Sequence, residues 1–308
     1  MFGRTLSRRS CVERRSAQRI ERLDVKDLHF ADVMPAGREV DLPGRGPAFV
    51  RISDGPSGAP TVLLVHGLFA TADLNWSLAM PALASRFRVV APDLRGHGRG
   101  LPTYRFDGQE CADDLAAIVQ ALDLGPVIVV GYSLGGMIAQ LFARRYPELA
   151  AGMVLCATAS SFPVPSTQGP LRMVDWAARR APAMLRRVVL MAMLAPRSAK
   201  TPRGRWMMSQ VRRHDTMALL DAIAEAGRFN SAAWLDVNTV PTAVIVTAED
   251  GTVPAETQRA MSRTLGASVQ EIDADHFACV KRPLEFNSAL FAACNRVSVG
   301  FSSEARTA

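Results

Sequence analysis

Residues 127–146 read VIVVGYSLGGMIAQLFARRY, and this stretch decides the fold class. Its first four residues are continuously apolar and β-branched, as is typical of a strand that helices cover on both faces of a parallel sheet. The next five, GYSLG, match the pattern G-x-S-x-G, and a helical pattern follows at once. This strand–turn–helix setting holds the hydroxyl of Ser133 above the sheet at a helix N-terminus, where negative charge is stabilised. We therefore predict that Ser133 is a nucleophile; a tight turn with an incidental serine is the alternative.

The same alternation of strand and helix extends to both sides of this stretch. Further apolar runs predict buried strands at 61–66, 87–92, 152–156 and 242–247, a shorter strand at 269–272 and an antiparallel hairpin at 39–52. Helical patterns occur at 75–86, 108–122, 134–146, 254–265 and 283–294. Strands that alternate with helices predict an α/β protein with a mostly parallel central sheet flanked by helices.

The alternation stops after residue 157. Through about residue 235 no strand is predicted, and the helical patterns are rich in Arg and in Met, with seven of the 13 methionines. We predict that residues 158–235 form a helical lid over the carboxyl edge of the sheet. The other predicted segments are an exposed basic arm at 1–22, the two parts of the α/β core at 23–157 and 236–298, and a C-terminal tail at 299–308.

Three further loop motifs accompany the serine motif. They read VHGL at 65–68, DLRGHG at 93–98 and AEDGTVP at 248–254. Together the four motifs resemble those of the α/β-hydrolase fold superfamily, in its branch of serine esterases, C–C bond hydrolases and haloperoxidase-like enzymes. The resemblance covers about residues 42–296. It implies that fold, and it implies a nucleophile, an acid and a histidine in that order along the chain.

The loops after the later strands supply the acid and the histidine. Of the five histidines, His276 comes last, after a predicted strand and before a predicted helix. The loop at 248–254 resembles the loop that delivers the acid in this family, which assigns that role to Asp250. Glu249 is a second carboxylate beside it, and we expect it to point away. The family usually has glycine before the histidine; this chain has Asp275, a carboxylate that either acts on the imidazole or faces solvent.

The resemblance implies a mechanism with an acyl-enzyme intermediate. Ser133 attacks an acyl carbonyl, His276 takes its proton, and Asp250 fixes the imidazole tautomer. The backbone N–H groups of Leu68 and Leu134 are the expected donors of the oxyanion hole. A serine at this turn excludes the relatives that form an alkyl-enzyme ester on an aspartate. The bond that is cleaved can therefore be an ester, a thioester, an amide or a C–C acyl bond. We expect the DLRGHG motif to stiffen its loop.

The expected substrate is an apolar or lipid-like small molecule. Met side chains adapt to irregular apolar shapes, so a Met-rich lid suits an acyl chain; packing within the lid is the alternative. The candidate substrate-binding residues are Phe69, Tyr132, Met173, Met184, Met207 and Met208.

Three functions are compatible with these residues. A carboxylesterase or lipase-like enzyme is the first hypothesis, and an acyltransferase with the same three residues is the second. A ligand-binding pseudo-hydrolase is a third, from a different class of protein. Because all the expected catalytic groups lie outside the lid, we expect the lid to select the substrate without taking part in the chemistry.

The composition of the chain disfavours several other classes of protein and of binding site. The chain has 308 residues, 48% of them hydrophobic, which suffices for a large core, and no run approaches the roughly 20 apolar residues of a membrane span. The N-terminal arginines come without the apolar stretch of a secretory signal. Five cysteines without a C-x-x-C pair disfavour a zinc cage or a disulfide framework and favour the cytoplasm. Because no nucleotide or metal motif is present, we expect no cofactor and no metal.

The net charge of +7 is unevenly divided. Residues 1–22 carry +5 and residues 160–235 carry +8, which leaves −6 for the remainder. An acidic body with two basic blocks does not predict nucleic-acid binding. The basic blocks are either solvated arginines or a surface for peripheral contact with an anionic membrane. The oligomeric state stays open.

Overall fold

Eight strands form the centre of the computed structural model, which describes residues 34–103, 105–162, 177, 179–194, 201–235 and 240–304. The strands are β1 (Gly37–Leu42), β2 (Gly46–Ser53), β3 (Thr61–Val65), β4 (Arg88–Pro92), β5 (Val127–Tyr132), β6 (Ala150–Cys156), β7 (Thr242–Thr247) and β8 (Ser268–Ile272). Their spatial order is β1-β2-β4-β3-β5-β6-β7-β8. β2 is antiparallel to both its neighbours, and the other pairs are parallel. The predicted fold class is confirmed; the predicted arm at 1–22 lies outside the described residues.

Both faces of the central strands are buried. Successive residues of β3 belong alternately to two apolar clusters, one on each face of the sheet. This double burial explains why the strands read as continuous apolar runs. The parallel register sets Val65 opposite Gly131, so the loops after β3 and β5 meet at the carboxyl edge of the sheet. In parallel α/β sheets this edge is where ligands bind.

Helices pack on both faces of the sheet and form the insertion between β6 and β7. They are α1 (Ala72–Trp76), α2 (Met80–Leu83), α3 (Gly108–Ala121), α4 (Leu134–Arg145), α5 (Ala183–Leu194), α6 (Pro202–Val211), α7 (Thr216–Ala226), α8 (Ala255–Thr264), α9 (Ala278–Lys281) and α10 (Pro283–Glu304). A single 3-10 turn, Pro147–Leu149, precedes β6 among the residues described. None of these helices is long and apolar enough to cross a membrane.

Two helices differ from their predicted limits. The helix predicted at 75–86 is divided into α1 and α2, and Pro81 lies in the first turn of α2. A continuous helix would set the Pro81 ring against the carbonyl of Ser77, which explains the break. α10 continues to Glu304 instead of ending at residue 294, because Val297 is still buried, against Gly152 of β6. The predicted tail at 299–308 therefore begins inside a helix.

The second half of the insertion is attached to the core. Ser161 and Asn230 form an isolated β-bridge that brings the two ends of the insertion together. At the start of α7, the Asp215 N–H donates to the Gly96 carbonyl over 2.9 Å. At its end, the Glu225 carboxylate accepts from the Gly108 N–H over 2.6 Å. The described helices of the insertion are α5, α6 and α7; that the insertion forms a lid stays a prediction.

Candidate active site

Ser133 lies between β5 and α4 in a conformation that side chains rarely adopt. Its φ is 53° and its ψ is −117°. Two glycines allow the turn to close: a Cβ on Gly131 would lie 2.3 Å from the Gly135 carbonyl oxygen, and a Cβ on Gly135 would lie 2.2 Å from the Val65 carbonyl oxygen. A non-glycine residue held in a sparsely populated conformation by tight packing is typical of functional sites.

A chain of two hydrogen bonds joins Ser133 to a histidine and a carboxylate. The Ser133 Oγ lies 2.9 Å from His276 Nε2, and His276 Nδ1 lies 2.8 Å from Asp250 Oδ2. The carboxylate side chain is fully buried, whereas the imidazole is 13% exposed. Because a carboxylate accepts, the Nδ1–H donates to Asp250, which leaves Nε2 to accept from the serine hydroxyl. This arrangement can remove the hydroxyl proton as Ser133 attacks an electrophile.

The loop after β7 holds Asp250 in its ionised form. Oδ1 accepts from the N–H groups of Thr252 and Val253 over 2.8 and 2.9 Å, and Oδ2 accepts from the Thr247 hydroxyl over 2.8 Å. Burial alone would raise the pKa of Asp250, but the hydrogen bonds from His276 and from Val253 N–H outweigh it and lower the pKa below its ordinary value.

The two neighbouring carboxylates do not take this position. Glu249 is exposed, and its backbone N–H donates to the Ala274 carbonyl over 3.1 Å. The Asp275 carboxylate accepts from the Phe277 N–H over 2.9 Å and pairs with Lys281. Asp275 therefore takes part in a local turn and an exposed ion pair, which explains how this chain accommodates it in place of glycine.

The turn after β3 lies against Ser133 and directs one N–H group. A Cβ on Gly67 would lie 3.4 Å from Ser133 Cβ. The Gly67 carbonyl accepts from His66 Nδ1–H over 2.8 Å and from the Ala70 N–H over 3.2 Å. Because a trans peptide directs its C=O and N–H to opposite sides, these bonds orient the Leu68 N–H. The Leu134 N–H is the first of α4 and has no acceptor within the helix.

Comparison with known proteins assigns the chain to a family. The sequence model described as alpha/beta hydrolase fold matches residues 60–283, well over half of the chain. The chain belongs to the alpha/beta hydrolase fold family. Among solved structures, it is similar to a thermophilic esterase from Thermogutta terrifontis at 27% identity and a TM-score of 0.64, over 85% of this chain and 99% of the other.

Curated relatives match this hydrolase-fold chain over shorter stretches. A magnesium-chelatase 30 kDa subunit from Rhodobacter capsulatus is 40% identical over 98 residues, which are 31% of this chain and 34% of that protein. A 2-hydroxymuconate semialdehyde hydrolase from Pseudomonas sp. strain CF600 is 34% identical over 133 residues, 42% of this chain and 46% of the relative. The matched stretches thus span between about a third and a half of these relatives.

Tyr132 occupies a different place in this alpha/beta hydrolase from the one predicted. We predict a substrate contact, but the side chain is only 4% exposed and lies in the core behind His276. Its hydroxyl donates to the His276 carbonyl over 2.8 Å, and its ring meets Trp76 and Phe286 edge to face. The residue before a nucleophile continues a buried strand, so its side chain is directed into the core. Tyr132 supports the histidine instead of the substrate.

The other residues predicted to contact the substrate lie on different elements and differ in exposure. Phe69 is partly exposed next to Leu68, with a left-handed φ of 60°. Met207 and Met208 are partly buried on α6, which packs against α1. Met184 is 81% exposed on α5, a helix that packs against α7. Met173 lies outside the described residues.

The DLRGHG motif stabilises the loop beside the site. The Asp93 carboxylate accepts from the N–H groups of Ala72 and Arg99 over 2.8 and 2.9 Å. Arg95 donates two hydrogen bonds of 2.7 Å to Asp114 on α3. These contacts are structural, in line with the predicted stiffening role. Among the described residues, no three His, Cys, Asp or Glu side chains form a group that could hold a metal.

Two side chains that support the site are not predicted from the sequence. Asn75 accepts the Gly67 N–H over 2.9 Å, and His214 of the insertion contacts the Phe69 carbonyl. Neither belongs to a motif. A polar residue in a helical pattern, and a single histidine after a helix, give no local signal of contacts that are made far along the chain.

Proposed function

We propose that this protein is a serine hydrolase that cleaves an ester, or a related acyl bond, of an apolar small molecule. The observation that carries the proposal is the hydrogen-bonded series of Ser133, His276 and Asp250, with distances of 2.9 and 2.8 Å, at a strained strand–helix turn. The hydrolase and esterase among the relatives are consistent with this chemistry.

The reaction proceeds in two half-reactions. Ser133 Oγ attacks the acyl carbon while its proton passes to His276 Nε2, and the leaving alcohol departs with that proton. Water then enters, gives a proton to His276 and cleaves the acyl-enzyme, which restores the serine hydroxyl and releases the acid. Asp250 keeps Nδ1 protonated and stabilises the imidazolium in both steps.

Two backbone N–H groups stabilise the tetrahedral oxyanion. They belong to Leu68 and Leu134, on the turns after β3 and β5. The loss of one such donor typically costs about 3–4 kcal/mol of transition-state stabilisation. Because the donors are backbone groups, other non-proline side chains at these two positions should preserve the oxyanion hole.

An apolar acyl group suits the surroundings of the site. Met207 and Met208 are partly buried on α6, which packs against the helix that follows the Leu68 turn. Flexible thioether side chains adapt to acyl chains of different shape. Each methylene of the substrate that becomes buried should add about 0.8 kcal/mol of binding, which is roughly a fourfold gain in kcat/KM.

We also propose that α5 contacts an anionic membrane. Met184, Leu185, Val188 and Val189 are exposed on one side of the helix, and Arg187 is exposed beside them. An exposed apolar helix face with basic residues is typical of interfacial helices. Sedimentation with phosphatidylglycerol vesicles tests this contact. Met184→Ser with Val188→Ser should weaken binding, whereas Leu284→Ser, an exposed residue of α10, should not.

Hydrolysis of nitrophenyl esters of increasing acyl length tests the proposed function. Matched thioesters and amides should be included, with Ser133→Ala as the control. We expect kcat/KM to rise with acyl length until further methylenes are no longer buried, and the serine variant to be inactive. Added alcohol separates hydrolysis from acyl transfer, since a transferase would form the new ester. Full turnover in Ser133→Ala would overturn the proposal.

A further inference from the structure

His214 of the insertion reaches the turn that carries the Leu68 N–H. It lies between α6 and α7 and is only 8% exposed. The Gly98 N–H donates to its Nδ1 over 3.1 Å, and its Nε2 lies 3.1 Å from the Phe69 carbonyl oxygen. Because an N–H partner requires an acceptor and a carbonyl requires a donor, the ring is fixed as the neutral tautomer that carries its hydrogen on Nε2. His214 therefore donates to Phe69.

Two peptide units connect this hydrogen bond to the oxyanion donor. The Phe69 carbonyl that accepts from His214 belongs to the same peptide unit as the Ala70 N–H. That N–H donates to the Gly67 carbonyl over 3.2 Å, and the Gly67 carbonyl shares its peptide unit with the Leu68 N–H. Rotation of the first unit would therefore release the second, and the Leu68 N–H would lose its direction.

The backbone conformation at Phe69 requires stabilisation by hydrogen bonds. Its φ of 60° is in the left-handed region, which is unfavourable for a residue with a β-carbon. His66 holds the same turn from the other side, since its Nδ1–H donates to the Gly67 carbonyl and its Nε2 accepts from the Leu94 N–H over 2.9 Å. Two histidines, one from the core and one from the insertion, thus donate hydrogen bonds to backbone carbonyls of the turn.

We propose that His214 is a positioning residue for the oxyanion hole, acting through the Phe69 carbonyl. This inference rests on the proposed function and adds to it, because it gives the insertion a part in catalysis. On the motifs alone, the insertion is expected only to select the substrate. A side chain of the insertion that fixes the Leu68 donor makes the chemical step depend on the docking of the insertion.

Two substitutions separate the two hydrogen bonds of the ring. His214→Asn places its amide where Nδ1 stands, so it keeps an acceptor for the Gly98 N–H but cannot reach Phe69. His214→Gln reaches the position of Nε2 and keeps the donor to the Phe69 carbonyl. We expect the asparagine variant to lower kcat and kcat/KM together, by about ten- to a hundredfold, with KM unchanged, as for an interaction made only in the transition state. The glutamine variant should recover most of kcat.

A second measurement follows the turn after β3 and does not depend on catalysis. Amide hydrogen exchange of the Ala70 N–H, followed in each variant, should be faster in His214→Asn than in wild type and should return toward wild type in His214→Gln. Equal kcat in wild type and His214→Asn would overturn the inference. So would an equal loss in both variants, or a rise in KM at constant kcat, because those results indicate a general role in folding or in substrate binding.

The Ser133→Ala control distinguishes this failure from a failure of the proposed function. If that variant is inactive and wild type is active, the function stands, and the two His214 variants decide the inference by themselves. If wild type hydrolyses no ester, the proposed function fails. In that case the positioning role for an oxyanion hole fails with it, and Ala70 exchange reports only the hydrogen bond itself: faster exchange in His214→Asn shows that His214 holds the turn, and unchanged exchange shows that it does not.

Discussion

Mild acid should destabilise this protein because three of its histidines are buried. His66, His97 and His214 lie in a row, with 5.3 Å between the ring centroids of each neighbouring pair. Burial lowers the pKa of His66 to about 4, and burial together with the nearby His66 lowers the pKa of His214 to about 4. Burial also lowers the pKa of His97 well below its ordinary value.

The size of the effect follows from the difference between folded and unfolded pKa values. An unfolded histidine has a pKa of about 6.5. Between about pH 6.5 and about pH 4 the unfolded chain therefore binds more protons than the folded chain, and the free energy of unfolding falls as the pH falls through this window. Between about pH 7 and about pH 5, His66 and His214 should each remove about 2 kcal/mol, at about 1.4 kcal/mol per pKa unit.

Urea unfolding of wild type and of His214→Gln at the two pH values measures one of these contributions. The difference between the two proteins is the informative quantity, because the carboxylates are common to both. Burial raises the pKa of Glu225, for example, and acts on stability in the opposite direction. Wild type should lose about 2 kcal/mol more than the variant between about pH 7 and about pH 5. Identical losses would refute the assignment of a neutral, buried His214.

Three further predictions concern the site and the chain around it. Asp250→Asn should keep the fold and lower kcat by about ten-thousandfold, through loss of the imidazole tautomer, whereas Glu249→Gln should change kcat little; the opposite ranking in a steady-state assay would mean that the acid is Glu249. Met207→Ser with Met208→Ser should flatten the dependence of kcat/KM on acyl length, and an unchanged profile would show that α6 does not contact the acyl chain. Removal of residues 1–22 should shift Tm by only a few degrees, because this arm has few apolar side chains to bury, and loss of soluble expression would place it in the core.

The sheet was predictable because burial on both faces gives each central strand a continuous run of apolar residues. A strand such as β5 must be apolar at every position, so its sequence identifies it without any knowledge of its neighbours. The turn at Ser133 was predictable for a similar reason, since Gly131 and Gly135 are required where strand and helix backbones meet. A continuous apolar run and the spacing of two glycines are properties of a few consecutive residues.

Contacts between distant segments were not predictable. His214 meets Phe69 across 145 positions, and Tyr132 meets the His276 carbonyl across 144. Nothing beside these residues in the sequence encodes the partner. The exposure of Met184 was missed for the same reason: apolar helical periodicity indicates a buried face, but it does not say whether another helix covers that face.

The most direct test of the central claim is identification of the serine that a fluorophosphonate modifies. The probe should label wild type at Ser133 alone, as mapped by peptide mass spectrometry, because this serine combines a helix N-terminus with a neighbouring imidazole. Ser133→Ala should remain folded by circular dichroism and should not be labelled. Labelling at another serine, or undiminished labelling of the alanine variant, would contradict the claim that Ser133 is the nucleophile.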